Sequence, residues 1–357
     1  MPPSFNPCLI NDASGDPGLF IPFAFHNRAI VFDLGDISPL STRDILKISH
    51  VFISHTHMDH FIGFDRLLRI VLGREKTICF YGPEGFLKNI EAKFAAYTWN
   101  LVRNFPRQMT IHATEITEET LISRQYICQE GFRPAEEPKK HDFCADVLYE
   151  EPSLKISAEI LDHGIPSIGF SLKENFHINI RREALESFGM VPGPWLFQFK
   201  QAIFEARDGQ APMAVPCEKN GRKWTQEVKL TDLAEKIALI TNGQKIAYVA
   251  DAAFTSKNIE KILRLARGAD HLFIESAFLE KDCSQASAKQ HLTARQAGEL
   301  AGLAGVKRFT LFHFSPRYDD PGPLFYKEAA AAYEKHWREP KGQTITCVQG
   351  PPGLPAA

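Results

Sequence analysis

The chain has 357 residues, 44% of them apolar, with 41 Lys and Arg against 43 Asp and Glu and a formal net charge of −2. That length and apolar content suit a large α/β domain carrying an insertion. The near-balance of charge excludes a protein that holds nucleic acid by global charge, so any phosphate contact must come from a local patch. No apolar run approaches the roughly 20 residues of a membrane span. The opening "MPPSFNPCLINDASGDPG" has neither the basic nor the apolar region of a signal peptide. The seven cysteines, Cys8, Cys79, Cys128, Cys144, Cys217, Cys283 and Cys347, are scattered and form no C-x-x-C. A reducing, cytoplasmic setting without a disulfide framework or cysteine-based zinc site is expected.

In chain order, "GLFIPFAF" and "AIVFDLGD" read as strands joined by a turn at "HNR". "SHVFIS" is a short apolar run of the kind that forms a strand buried on both faces. "FIGFDRLLRIVLG" has helical apolar spacing and stops at Gly73. "KTICFYG" reads as a strand, and "PEGFLKNIEAKFAAY" as a helix with Pro83 near its start. "TIHATEI", "LKISAEILDHG" and "IGFSLKE" continue the strands, with a polar surface excursion expected over 121–150. Residues 174–235, rich in Pro, Gly and basic side chains, read as an inserted arm. From 236 strand and helix alternate: "KIAYVAD" with "SKNIEKILRLARGA", "HLFIESAF" with "TARQAGELAGLAG", and "RFTLFHFS" with "GPLFYKEAAAAYEKHW". Such alternation covers a sheet with helices.

The segment "FISHTHMDHFIGF" places His55, His57, Asp59 and His60 within six positions after an apolar strand. On an extended exit, residues two apart share a face, so His55, His57 and Asp59 are expected on one side with His60 beside them. Imidazoles suit zinc, and adjacent carboxylates suit a second cation or its water. Burying these groups without partners costs roughly 1–3 kcal/mol each, which a cation removes. One loop cannot complete two metal sites. His163 after "ISAEIL", Asp251 at the end of "KIAYVAD" and His313 after "RFTLF" stand at strand ends, where α/β enzymes place chemistry. Singly, each has another reading, as a helix cap or a packing residue.

"HTHMDH" resembles the H-x-H-x-D-H signature of metallo-β-lactamase fold hydrolases. More narrowly, "FDLGD", "YGPEGF", "LDHGIPSIGFSL", "ALESFGMVPGPWLFQFK" and "KQHLTARQAGELAGLAGVKRFTLFHFSPRY" resemble segments of ribonuclease Z, in its order, over roughly residues 29–320. The resemblance implies an α/β, four-layer αββα sandwich of the metallo-β-lactamase type, forming one metallo-hydrolase domain over 1–357, with insertions at 121–150 and 174–235. It implies two zinc ions per chain, with manganese as the other candidate: one on His55, His57 and His163, one on Asp59, His60 and His313, with Asp251 bridging. His291 falls on the family's catalytic histidine. The implied activity is cleavage of the 3′ trailer of precursor tRNA, with RNA as partner and a homodimer as assembly.

Two cations about 3.5–4 Å apart suit an in-line displacement at phosphorus, and zinc lowers the pKa of its water to about 7. Asp59 is positioned to accept a proton from that water, and His291 to act as the acid. His57, where a carboxylate would favour iron and redox chemistry, keeps the ligand set hydrolytic. Arg317 in "SPRY" would pair with a phosphate or anchor its loop. In the arm, Arg181, Arg182, Lys200, Arg207, Lys219, Arg222, Lys223 and Lys229 are interleaved with Phe and Trp, a pattern that suits RNA backbone and bases. The chain departs from the family in lacking its N-terminal Leu-Gly-Thr-Gly turn, in Ile274 where a histidine is usual, and in Ala252 and Ala253 after the bridging aspartate. These departures leave two alternatives open: a zinc phosphodiesterase for a small ester, and a non-catalytic, metal-stabilised RNA-binding protein.

Overall fold

The computed structural model describes residues 4–24, 26–134, 136–143, 147–319 and 322–337. Cys144 and Cys347, and parts of the expected excursion and of the C-terminal segment, lie outside them; the other five cysteines are free thiols.

Eight strands form the first sheet in sequence order: β1 (Cys8–Leu9), β2 (Leu19–Pro22), β3 (Ala29–Phe32), β4 (Ile48–Phe52), β5 (Lys76–Pro83), β6 (Met109–Ile116), β7 (Thr120–Ile127) and β8 (Lys139–Asp142). The strands from β3 to β6 are parallel, and antiparallel pairs flank them on both sides. In β3 and β4 the apolar run feeds two cores. Val31 and Val51 face the helices Phe64–Val71 and Phe86–Ala95. Phe32 and Phe52 face the second sheet. A run apolar at every position is what a strand buried on both faces requires. Pro83, expected near a helix start, instead closes β5. Within 121–150, expected as a surface excursion, β7 and β8 form the edge of the first sheet and Val147–Glu151 begins the second.

The second sheet contains β9 (Val147–Glu151), β10 (Leu154–Asp162) and β11 (Pro166–Glu174). After the arm come β16 (Lys245–Val249), β17 (His271–Glu275) and β18 (Phe309–Phe312); the spatial order is β18-β17-β16-β11-β10-β9. β16, β17 and β18 run parallel, each followed by a helix on the outer face: Ser256–Ala266, Ala294–Leu303 and Gly322–His336. Ile262, Leu300, Phe325 and Ala329 from these helices pack on Val249, Leu272, Ile274 and Leu311. Between the sheets Phe32 stacks on Phe170 at 5.3 Å, and Tyr248 lies 5.8 Å from Phe32. The layers run helix, sheet, sheet, helix: the four-layer αββα sandwich expected from the motifs.

The arm segment folds on itself. β12 (Phe176–Ile180) pairs with β15 (Ala238–Asn242), and β13 (Pro212–Lys219) with β14 (Arg222–Lys229). Helices Arg182–Ser187, Trp195–Phe204 and Leu230–Ile237 complete a separate core around Phe199, Trp195, Leu233 and Ile237.

Candidate metal centre

β4 ends at Phe52, and the chain continues through buried Ser54 and His55 to His57, which is still extended with φ −61° and ψ 155° and caps the short helix Met58–Phe61. His55 and His57 do converge, with Nε2 of one 2.9 Å from Nδ1 of the other. Asp59 does not share their extended face. It lies in the first turn of the helix, which turns its carboxylate towards His313 (3.2 Å) and His60 (3.6 Å). Two glycines permit this loop. A Cβ on Gly63 would stand 2.2 Å from the Gly35 carbonyl oxygen, and one on Gly35 2.5 Å from that of Asp59. The Gly63 amide donates to the Leu34 carbonyl across this contact. Thus "FDLGD" abuts the histidine loop backbone to backbone.

The other partners arrive from strand ends of the second sheet. His163 follows β10, Asp251 follows β16, Glu275 ends β17 and His313 follows β18. His55, His57, His163 and Asp251 offer ligand atoms within 4.8 Å of one another; so do Asp59, His60 and His313, and so do Asp251, Glu275, His291 and His313. The Asp251 carboxylate is central, 2.9 Å from His313 Nδ1 and 3.5–3.7 Å from His60, His163 and His55. All seven side chains read from the sequence as ligands therefore meet in one place, with His291 beside them.

The cluster is held by residues that the sequence reading did not assign. Buried Asp33 accepts from the Ser54 amide (2.7 Å), Ser54 Oγ (2.8 Å), His60 Nδ1 (2.8 Å) and the Tyr248 hydroxyl (2.9 Å). Its φ of 54° lies in the left-handed region that aspartate tolerates better than most residues. His163 Nδ1 donates to the Gln290 carbonyl at 2.8 Å, which leaves Nε2 for the centre. Buried Asn258 bonds both the amide and the carbonyl of Asp162 and the carbonyl of Ala253, tying the His163 turn to the Asp251 turn. Glu275, fully buried, accepts from the Ala252 and Leu292 amides and from His291 Nδ1 at 3.2 Å. The signal for these residues was their polarity inside apolar stretches, as in "FDLGD" and "FIESAF". His313 has φ 64°, a costly conformation for a non-glycine residue and one that clusters at functional positions.

Electrostatics follow from this crowding. Burial, then the His60 charge, pushes His55 down to about 2. Burial also opposes the charge on His60, but Asp251 and Asp33 outweigh it and lift His60 to about 10. Burial would raise Asp59, yet the His313 hydrogen bond and the His60 charge bring it to about 2. Asp251 is driven well down and His313 well up, each by the other against the cost of burial. His291 is raised: burial lowers it, and Glu275 more than compensates. Among the buried polar atoms that form no hydrogen bond are His60 Nε2, Asp251 Oδ1 and His313 Nδ1, the last two facing each other at 2.9 Å as an ion pair. Such atoms of one cluster, with imidazole and carboxylate chemistry, fit divalent cations.

The remaining site residues lie elsewhere. Arg317 donates to Gln285 Oε1, and its guanidinium sits 6.0 Å over Phe278 and 5.7 Å over Tyr318. Arg181 and Arg182 are exposed at the start of an arm helix. Ile274 is buried among the helix-side residues of the second sheet while its neighbour Glu275 takes the place at the centre. Position 274, where the resemblance led to a histidine, thus lies on the core side of the strand.

Fold and site together define a metallo-β-lactamase fold protein with a centre able to hold metal. No family model matches the chain. By sequence it is similar to ribonuclease Z of Deinococcus radiodurans, 25% identical over 284 residues (79% of this chain, 80% of that one). It is also similar to ribonuclease Z of Thermococcus sibiricus, 27% identical over 311 residues (84% of this chain, 80% of that one). The resemblance to ribonuclease Z thus runs over about four fifths of the chain. Among solved structures, the metallo-β-lactamase fold protein YhfI from Bacillus subtilis superposes with a TM-score of 0.51 at 13% identity, covering 92% of this chain and 94% of that one. The short form of human tRNase Z gives 0.50 at 17% identity, covering 88% and 92%. No helix among the described residues is long and apolar enough to cross a membrane.

Proposed function

We propose that the protein is a metal-dependent phosphodiester hydrolase, a ribonuclease Z-like endoribonuclease that removes the 3′ trailer of precursor tRNA. The observation that carries this is the meeting of His55, His57, Asp59, His60, His163, Asp251 and His313 around buried atoms that form no hydrogen bond, in a chain similar to ribonuclease Z over most of its length. His55, His57 and His163 would hold one ion, Asp59, His60 and His313 the other, and Asp251 would bridge. Bound divalent cations supply positive charge to the phosphodiester and acidify water.

The chain's own groups do the rest. Asp59, its carboxylate partly exposed at the rim, is the proton acceptor. His291, with Nδ1 held by Glu275, has Nε2 left to give a proton to the departing oxygen. Zinc as the metal, RNA as the substrate, a cytoplasmic location and a homodimer are carried by the resemblance. We extend the reading to the arm, where exposed Trp224, Arg222 and Lys223 on the β13–β14 hairpin suit contact with the tRNA body. The small-ester and non-catalytic alternatives are not favoured, because the relatives matched over about four fifths of the chain are named ribonuclease Z.

The test is cleavage of a precursor tRNA with metal content measured in parallel. His291→Ala should keep its metal and lose about 10²–10⁴-fold in rate, the range of a general acid, whereas His57→Ala should lose metal. An unchanged rate in His291→Ala would remove the assigned role. Metal-loaded protein that cleaves an aryl phosphodiester but no precursor tRNA would replace the reading with the small-ester one.

A further inference from the structure

At the end of the second sheet away from the metal centre, three lysines stand in one cross-strand row. Lys155 on β10 pairs in register with Lys173 on β11, and Lys173 with Lys245 on β16, while the outer neighbour of Lys155 is Glu150 on β9, so Lys173 alone has a lysine on both sides. Like charges directly opposite one another in a sheet are destabilising, so such a row calls for a reason. Ile156, Leu172 and Ile246, the adjoining residues, face the inter-sheet core. Strand alternation therefore puts all three lysines on the outer face, below the C-terminus of helix Ser256–Ala266.

Lys173 and Lys245 line an open cavity of about 860 Å³ together with Arg267, Lys307 and Arg308, and Lys155 stands beyond its edge at the end of the row. The cavity's carboxylates are already engaged. Asp270 binds Lys307 Nζ (2.6 Å) and the Lys245 amide (2.7 Å), and Glu174 binds Ser4 Oγ (2.5 Å) and His177 Nδ1 (3.1 Å). Among the described residues no ion pair is formed by Lys155, Lys173, Lys245, Arg267 or Arg308. Lys245 Nζ reaches the Arg267 carbonyl at 3.1 Å, a helix-end contact that accounts for this one lysine and not for the row. Burial, then the charges of Lys173, Arg267 and Lys155, brings Lys245 down to about 8.

We propose that this cavity is a binding site for a compact oligophosphate. Its volume lies within the range of small-ligand sites, about 300–1,000 Å³. Its lining contains no Phe, Tyr or Trp on which a base could stack, which separates it from a single-stranded RNA groove. Lys245 is six residues before Asp251, and at about 3.3 Å per residue the site stands roughly 20 Å from the metal centre. It does not rest on the activity proposed above.

The test is calorimetric titration of the metal-loaded protein with inorganic tripolyphosphate, comparing wild type with the double variant Lys173→Gln/Arg308→Gln, both residues of the cavity lining. The site is read as one bound equivalent that the double variant lacks or binds roughly tenfold or more weakly, with metal content unchanged. The unliganded double variant should unfold at the same urea concentration as wild type or a higher one, since like-charge repulsion is removed. Equal tripolyphosphate binding by both proteins would overturn the proposal. So would a lowered urea midpoint, which makes the two cations structural. Binding of a short unstructured RNA, lost in the double variant, without tripolyphosphate binding would replace it with an RNA surface.

Discussion

His60, the buried histidine of the group it forms with Asp59 and His313, is aimed by a residue 27 positions away. Asp33 takes its Nδ1 proton and is itself fixed by Ser54 and by the Tyr248 hydroxyl from the opposite sheet. Such outer partners set ring orientation and raise ligand basicity, and losing one typically costs about 10–100-fold in metal affinity. Asp33→Asn should therefore weaken metal binding by about that factor, measured by competition with a chelator. Tyr248→Phe, which keeps the carboxylate and removes one of four donors, should have a smaller effect. An Asp33→Asn protein that folds and binds metal as tightly as wild type would show that His60 needs no such support.

Among the elements, the helix pair Ala294–Leu303 and Gly322–His336 anchors the layer behind His291 and Glu275. The two helices approach so closely that a Cβ at Gly298 would lie 2.0 Å from the Ala329 carbonyl oxygen, a backbone atom that cannot swing away. Gly298→Ala gains helix propensity, but overpacking at such a contact costs about 1–3 kcal/mol, so a net loss of stability is expected in urea unfolding. Equal or higher stability would mean that the pair slides apart freely. At this scale the sequence was legible where periodicity was strong. Each strand–helix alternation from β16 onward appears where the pattern placed it. It misled at Asp59, because period-two reasoning assumed an extended chain after His57. A four-residue helix, whose capping residue is itself a candidate ligand, turns the carboxylate to the other half of the centre.

For the molecule as a whole, two histidines that are not candidate ligands, half-buried His50 and buried His271, tie stability to pH. His50 is lowered to about 4 by burial and then by Arg28, and His271 to about 4 by burial and then by Arg308. Unfolding returns both to the ordinary value of about 6.5, so between about pH 6.5 and 4 the unfolded chain binds more protons than the folded one. Stability therefore falls with decreasing pH across that window and stops responding to these two groups below it. Urea midpoints of wild type and His271→Asn should converge as pH goes from 7 to 5, because only wild type carries the His271 contribution. A difference independent of pH would reject the assignment.

The chain's own text determined the chemistry of the centre. H-x-H-x-D-H after an apolar strand, with His163, Asp251 and His313 at later strand ends, names metal-seeking side chains because few other arrangements bury so much imidazole and carboxylate. The strand–helix alternation was legible for a related reason, since apolar periodicity records which faces meet a core, whereas the four-layer sandwich was implied by the resemblance to ribonuclease Z. Only the tertiary structure decided how the ligands are oriented and what lies beyond them. Asp33, Asn258 and Glu275 act through contacts that reach residues up to 96 positions distant, or more than 200 for Asp33 and Tyr248. The lysine row becomes a feature only once β10, β11 and β16 lie side by side. Local pattern carries no information about pairing between distant segments, since register is settled by packing of the two sheets and not by any one strand.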